Sequence, residues 1–283
     1  DHLLAQLPSV GDGHDWNQRN VGVSVPGHDV AVDRDHPRNH DGRFFSVLVT
    51  RTVNQPQPGS DEICRALEEA WLGTAGYLRA DGTRQSRALA FLGEVVTDEG
   101  QHVHEVFVVD LPDDVTQPGD DGPLAGTAMR RPRPPRGTVQ RRLTFTANRQ
   151  HPGVQGPRHW LRSSPDGARI ACLMKDDAGV VQLWTVSPLG GAPRQVTQHS
   201  SSIESAFSWS PDGRGVAYVC AGRIVVTDAA SGSSRYLTVA TEPASAPRPE
   251  AVIYSPDGDR IAFVRPVVCG DRRWNQIFSV ASE

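Results

Sequence analysis

SSPDGARIACLM (residues 163–174) returns as SWSPDGRGVAYVC (208–220) and again as IYSPDGDRIAFVRP (253–266). The shared string is Ser-Pro-Asp-Gly, beginning at Ser164, Ser210 and Ser255, with spacings of 46 and 45 residues. Its chemistry is that of a tight turn. Proline presets φ for the second turn position, aspartate bonds the local backbone, and glycine takes φ > 0 at no steric cost. The aspartates are therefore read as turn residues and not as catalysts. A short apolar run follows each turn (168–174, 214–220, 259–266), and another precedes it (159–161, 207–209, 252–254).

The period continues downstream. LWTVSPLGGAPRQVT (183–197) and IVVTDAASGSSRYLT (224–238) align without a gap, and each ends in Val-Thr or Leu-Thr. One unit is thus four short strands in about 45 residues, the pattern of a β-propeller blade. EVFVVDLP (105–112) and RRLTF (141–145) match the third and fourth strands of a preceding unit, and NHDGRFFSVLVT (39–50) is a degenerate turn with its following strand. Trp184, Val186, Trp209, Ile224, Tyr254, Ile261 and Phe263 are expected in cores between blades.

These repeats, SSPDGARIACLMKDDAGVVQLWTVSPLGGAPRQVT above all, resemble the WD40-like repeats of TolB-type propellers. The chain with HPRNHDGRFFSVLVTRT and GPRHWLRSSPDG resembles an uncharacterised bacterial family likened to Tol biopolymer transport proteins. The resemblance is specific over about 139–283. It implies an all-β, TolB-like propeller, six-bladed when complete, and implies no reaction.

The whole chain, 1–283, is accordingly read as one propeller domain and as a fragment forming a partial ring. Residues 1–35 are a partial blade, with DHLLAQLP and RNVGVSVPG strand-like. Residues 36–144 are a blade with insertions, 145–202 and 203–247 are blades, and 248–283 are a partial blade. One insertion is predicted as a helix over 61–72, because Ile63, Ala66, Leu67, Ala70 and Trp71 follow helical spacing with Gly73 as a stop. The other, 111–137, is rich in proline and glycine and is expected to be an exposed, mobile loop.

The chain has 283 residues, long enough for two domains or one large β domain. Its net charge of −4 argues against binding nucleic acid through bulk positive charge. Only Lys175 of the 29 basic residues is lysine, and the arginines are scattered. No apolar run reaches the length of a membrane span, so no membrane insertion is expected. The opening DHLLAQLPSVGDGHD lacks the basic start of a secretory signal. Cytoplasm and periplasm stay open as compartments. Cys64, Cys172, Cys220 and Cys269 form no C-x-x-C motif, and a disulfide framework is not expected.

Motifs for chemistry are scarce. The sequence has no G-x-S-x-G, no G-K-[ST], no H-E-x-x-H and no S-x-x-K. No cofactor and no catalytic residue are therefore assigned, and the balance leans against an enzyme. The metal candidates are His102 and His104, which share a strand face, and His36 and His40, which bracket HPRNH. They keep open a rival reading, since propeller-fold oligogalacturonate lyases carry a histidine-bound metal. A propeller half of a larger hydrolase is the third reading.

The leading reading is a non-enzymatic module that binds a protein or peptide at a channel mouth. The repeat locates that mouth. His159, Ser205 and Glu250 each stand five residues before an S-P-D-G serine, with Arg158, Glu204 and Arg248 beside them. Arg34 is the counterpart in an earlier blade. Blades related by rotation should bring these mixed charges to one rim.

Overall fold

The computed structural model describes residues 19–126, 131–158, 160–250 and 252–283. The protein is all-β: small antiparallel sheets account for its regular structure, and the only helical element among the described residues is the 3₁₀ turn Pro243–Ser245. No helix among them is long and apolar enough to cross a membrane. The chain falls into two compact units. The first holds the described residues up to Leu67 with Gly93–His102 and Val109–Arg141; the second holds Glu68–Leu92, Val103–Val108 and Arg142–Glu283.

In the second unit the S-P-D-G turns build three consecutive sheets. Arg162–Ser163, Ile170–Lys175, Val181–Val186 and Arg194–Gln195 form the first. Ser208–Trp209, Gly215–Cys220, Arg223–Asp228 and Ser234–Tyr236 form the second. Val252–Tyr254, Arg260–Cys269 and Arg272–Ala281 form a three-stranded third. Strands lie in sequence order in each.

The three turns share one hydrogen-bond pattern. The glycine N–H donates to the serine carbonyl at 2.9 Å in each (Gly167, Gly213, Gly258). The serine hydroxyl donates to the aspartate, and the N–H two residues beyond the aspartate donates to its Oδ1 at 3.0–3.1 Å. The turns also line up. A Cβ at Gly213 would lie 3.2 Å from Pro165 Cδ, and one at Gly258 would lie 3.4 Å from Pro211 Cδ.

Alternation along a strand explains why runs such as Gly215–Cys220 are buried throughout. Val216, Tyr218 and Cys220 pack with Ala171, Leu173, Leu183 and Trp209 towards the preceding sheet. Ala217 and Val219 point the other way, onto Val252, Ile261 and Phe263. A strand with period-two side chains thus fills two cores at once. Val186, Trp209, Ile224, Ile261 and Phe263 are buried as expected, whereas Tyr254 and Trp184 are half-buried. Arg149 lies over the Trp184 ring, 4.4 Å from its centroid. Cys172 and Cys220 are buried, and burial pushes their thiols up to about 12 and about 11.

The earlier part of the chain corrects the sequence reading. The expected helix over 61–72 is a strand, Arg65–Trp71, the first of a four-stranded sheet with Ala88–Val96, His102–Asp110 and Val139–Arg142. Its helical spacing has a physical cause. Cys64 N–H bonds the Glu94 carbonyl and Leu72 N–H bonds the Ala88 carbonyl, so positions 64 to 72 on one strand face 88 to 94 on the other. The surplus is taken up around Glu68, whose φ is +55°, and it breaks the alternation that marks a strand. Gly42–Leu48 is not this sheet's second strand; it pairs with Gly22–Val30 in a separate hairpin. The 111–137 segment is held by its own backbone: Arg136 N–H bonds Gln117 O and Arg133 N–H bonds Pro123 O, with Val115 buried. DHLLAQLP lies outside the described residues.

Candidate functional site

Two clusters of polar side chains stand out, one in each unit. In the second unit, Arg158, Arg248 and Glu250 meet. Arg248 comes from the extended loop after the 3₁₀ turn, fixed by its N–H on the Val264 carbonyl at 2.7 Å. Glu250 stands two residues before strand Val252–Tyr254, and the carbonyl of Pro249 accepts the Ala206 N–H at 2.8 Å. Arg248 forms a two-point bond with Glu250, Nη2 to Oε1 at 2.9 Å and Nε to Oε2 at 3.1 Å. Arg158 reaches the same Oε1 more loosely, at 3.4 Å. Hydrogen bonding from Arg248 holds the Glu250 carboxyl below the usual range.

One carboxylate therefore serves two guanidinium groups, and the cluster keeps a positive charge. Arg158 Nε is buried with no hydrogen-bond partner. Trp160 supports the group, with Arg158 and Arg162 lying 5.8 and 5.2 Å from its ring centroid. Burial lowers the pKa of Arg162.

The other residues expected at this place are engaged elsewhere or lie outside the described set. Glu204 is exposed and accepts the Gly222 N–H at 3.1 Å, securing the turn at Ala221 and Gly222. Arg34 pairs with Asp41 on an exposed stretch of the first unit. His159 lies outside the described residues.

The first unit holds the second cluster. His102 Nδ1 lies 2.7 Å from Glu94 Oε1, and the Cys64 thiol donates to the same oxygen at 3.4 Å. All three donor atoms lie within 4.8 Å of one another. Arg65 Nη1 sits 3.4 Å from the other oxygen, Oε2. Burial, with Glu94 beside it, pushes the Cys64 thiol up to about 11. Of the histidines expected as metal ligands, His102 is in this cluster. His36 Nδ1 accepts the Arg38 N–H at 3.1 Å as part of a turn, His40 is exposed, and His104 is half-buried on the same strand as His102.

Sequence reasoning passed over Cys64 and Glu94. A carboxylate inside the apolar run ALAFLGEVV (88–96), followed by the T-D-E-G turn, was the available signal. That turn is closed by Thr97 N–H on Gln101 O, which brings Glu94 and His102 to one face. A cleft of about 580 Å³ lies between the last two S-P-D-G turns, bordered by Asp212, Asp228, Arg235, Tyr254 and Asp257. Three of its four aspartates are tied up. Asp212 and Asp257 cap their own turns, Asp228 accepts two backbone N–H groups, and all three are held below the usual carboxylate range by those bonds.

No family model matches the chain. It is 45% identical over 267 residues to the uncharacterised protein YidR of Escherichia coli (strain K12). That match takes in 93% of this chain and 60% of YidR, so the chain spans about three-fifths of the length of this curated relative. Similar solved structures include a putative TolB from Agrobacterium tumefaciens (20% identity, TM-score 0.35, 70% of this chain and 54% of that one). They also include the β-propeller domain of the Trilobed protease from Pyrococcus furiosus (12%, 0.40, 68% and 50%). A third is the acylaminoacyl peptidase of Pyrococcus horikoshii (12%, 0.37, 69% and 31%).

Proposed function

We propose that the chain is a TolB-like β-propeller without catalytic activity that binds a protein or peptide, taking a carboxylate of that partner between Arg158 and Arg248. The propeller reading rests on the repeat of about 45 residues and on consecutive sheets, the first two of which bury both faces of their middle strands. The count of six blades rests on the resemblance alone. One observation carries the binding reading: two half-exposed arginines share the single carboxylate of Glu250, which leaves one guanidinium charge without a counterion. A partner carboxylate supplies it, and charge-assisted bonds of this kind are the stronger ones.

The test is fluorescence anisotropy with a labelled acidic peptide bearing a free C-terminal carboxylate, alongside its amidated form. We expect Arg158→Ala and Arg248→Ala each to weaken binding by about 5- to 30-fold, the effect of removing one charge-assisted bond. Added salt should weaken wild-type binding. Arg133→Ala, in the proline-rich segment, should change nothing. Equal binding by all four proteins, or no binding by wild type to either peptide, overturns the reading.

A further inference from the structure

We propose that Cys64, Glu94 and His102 form a binding site for a borderline divalent transition ion of the zinc class. This goes beyond the partner-binding reading and does not depend on it.

The argument begins with placement. Cys64 immediately precedes strand Arg65–Trp71, Glu94 lies near the end of Ala88–Val96, and His102 opens His102–Asp110. These three strands are neighbours in one sheet. Each contributes one side chain at the same end, and the ladder bond from Cys64 N–H to the Glu94 carbonyl at 3.2 Å fixes two of them directly. Three donors held by adjacent strands need little ordering to meet a metal.

The donor set is specific. A thiol sulfur, a carboxylate oxygen and an imidazole nitrogen are the atoms zinc takes in protein sites, at bond lengths of about 2.0–2.3 Å. Tetrahedral bonds of that length place ligand atoms about 3.3–3.8 Å apart. The 3.4 Å contact from Cys64 to Glu94 falls in that range, while the 2.7 Å contact from His102 to Glu94 is a hydrogen bond that opens by about 0.6 Å when an ion takes the place of its proton. Both converge on Oε1, while Arg65 engages Oε2. A soft sulfur beside imidazole favours zinc-like ions over calcium or magnesium, which prefer oxygen alone.

Burial separates the cluster from a chance group of surface acids. The Glu94 side chain is 11% exposed, in a strand whose residues are all buried, whereas the His102 side chain is 58% exposed. The ion thus has a way in past His102, and three protein donors leave a coordination position for water or an external ligand.

The test uses the full chain, stripped of metal and titrated with Zn²⁺ against a chromophoric chelator, and separately with Co²⁺ as a spectroscopic probe. We expect one equivalent bound and a sulfur-to-cobalt charge-transfer band. Cys64→Ser should abolish the band and weaken zinc binding at least about 10-fold. His102→Ala should weaken zinc binding to a similar degree; because it also removes the hydrogen bond to Glu94, circular dichroism of the metal-free variant checks that the sheet is still formed. Cys269→Ser, at an exposed free cysteine, should leave both readouts intact. Absence of stoichiometric zinc binding overturns the proposal. So does zinc affinity unchanged in both Cys64→Ser and His102→Ala, which would assign the ion to scattered histidines. A cobalt band lost in Cys269→Ser and kept in Cys64→Ser overturns it equally.

Discussion

The sheet running from Arg162 to Gln195 and the sheet running from Arg65 to Arg142 have four strands in the same order, yet the second uses more than twice the chain. Their last two strands are joined alike. In the compact sheet, Leu183 N–H donates to Thr197 Oγ1 at 2.9 Å and Val196 N–H donates back to the Leu183 carbonyl at 2.8 Å. In the long sheet, Val106 N–H donates to Thr144 Oγ1 and Leu143 N–H donates to the Val106 carbonyl, both at 2.8 Å. The recurring Val-Thr and Leu-Thr endings are this bond. The residue before each donor then fills the same place: Gln182 accepts from Thr197 and the His199 N–H, and Glu105 accepts from Thr144 and the Thr146 N–H. The two sheets therefore share their last two strands and differ in their first two. A local turn motif joins the first two strands in one, and an inserted hairpin with an irregular first strand replaces it in the other.

The sharpest way to break this comparison is at the place where the insertion meets the motif. Gly73 N–H donates to Ser163 Oγ and Thr74 N–H to the Pro165 carbonyl, each at 2.9 Å, so the insertion docks on the first S-P-D-G turn. The three turn glycines share φ of +70° to +82° but not their surroundings. A Cβ at Gly167 would lie 2.1 Å from the Gly76 carbonyl oxygen, whereas at Gly258 the nearest atom is Pro211 Cδ at 3.4 Å. Gly258→Ala should therefore cost only the left-handed backbone penalty, about 1–2 kcal/mol. Gly167→Ala must also displace backbone and should cost about 4 kcal/mol or more. Denaturant unfolding of both variants checks this. Equal losses would mean that the insertion does not hold the first turn.

How much of this was legible follows from how local each signal is. The S-P-D-G turn carries its own geometry in four residues, so the strands on either side of it were readable. The first strand of the long sheet was not, because the surplus of residues around Glu68 breaks its alternation: within Arg65–Trp71 only Ala66 is buried, and its apolar residues fall at helical spacing. Repeat equivalence places Arg158 and Glu250 at matching ends of their units, and their side chains lie 3.4 Å apart. It could not foresee that Glu204 would secure the turn at Gly222 or that Arg34 would pair with Asp41, since an alignment of repeats shows which positions are equivalent and not which side chains bond within one unit. The trio of Cys64, Glu94 and His102 depends on strand register across three elements, which no single window of sequence contains.

The shared last two strands offer the next test. Glu105 is fully buried and carries a charge paired with Arg142, whose side chain is 7% exposed; Gln182, equally buried, is neutral. Glu105→Ala takes the paired carboxylate from a buried guanidinium and leaves Thr146 N–H without its acceptor, and should cost about 3 kcal/mol or more. Gln182→Ala leaves only neutral groups unpaired and should cost about 1–3 kcal/mol. Thermal unfolding with matched ΔH analysis distinguishes the two. If Gln182→Ala proves the worse, charge is not what sets the long sheet apart at this position.

The smallest effect lies at the irregular strand itself. Glu68 holds φ of +55°, a region that non-glycine residues enter at a cost and that asparagine tolerates better than most. The glutamate also sits in the field of Arg162, whose pKa it pushes upwards against the effect of burial. The substitution to asparagine removes that attraction, which is weak between partly exposed groups. The backbone gain should outweigh it slightly, so Glu68→Asn should stabilise the protein by about 0.5 kcal/mol. For a chain of this size that corresponds to a rise in Tm of about 1–2 °C. Glu68→Val, which keeps neither charge nor tolerance of positive φ, should lower Tm instead. If both substitutions lower Tm by the same amount, the charge on Glu68 matters more than its backbone, and the irregularity is held in place by Arg162 rather than merely tolerated.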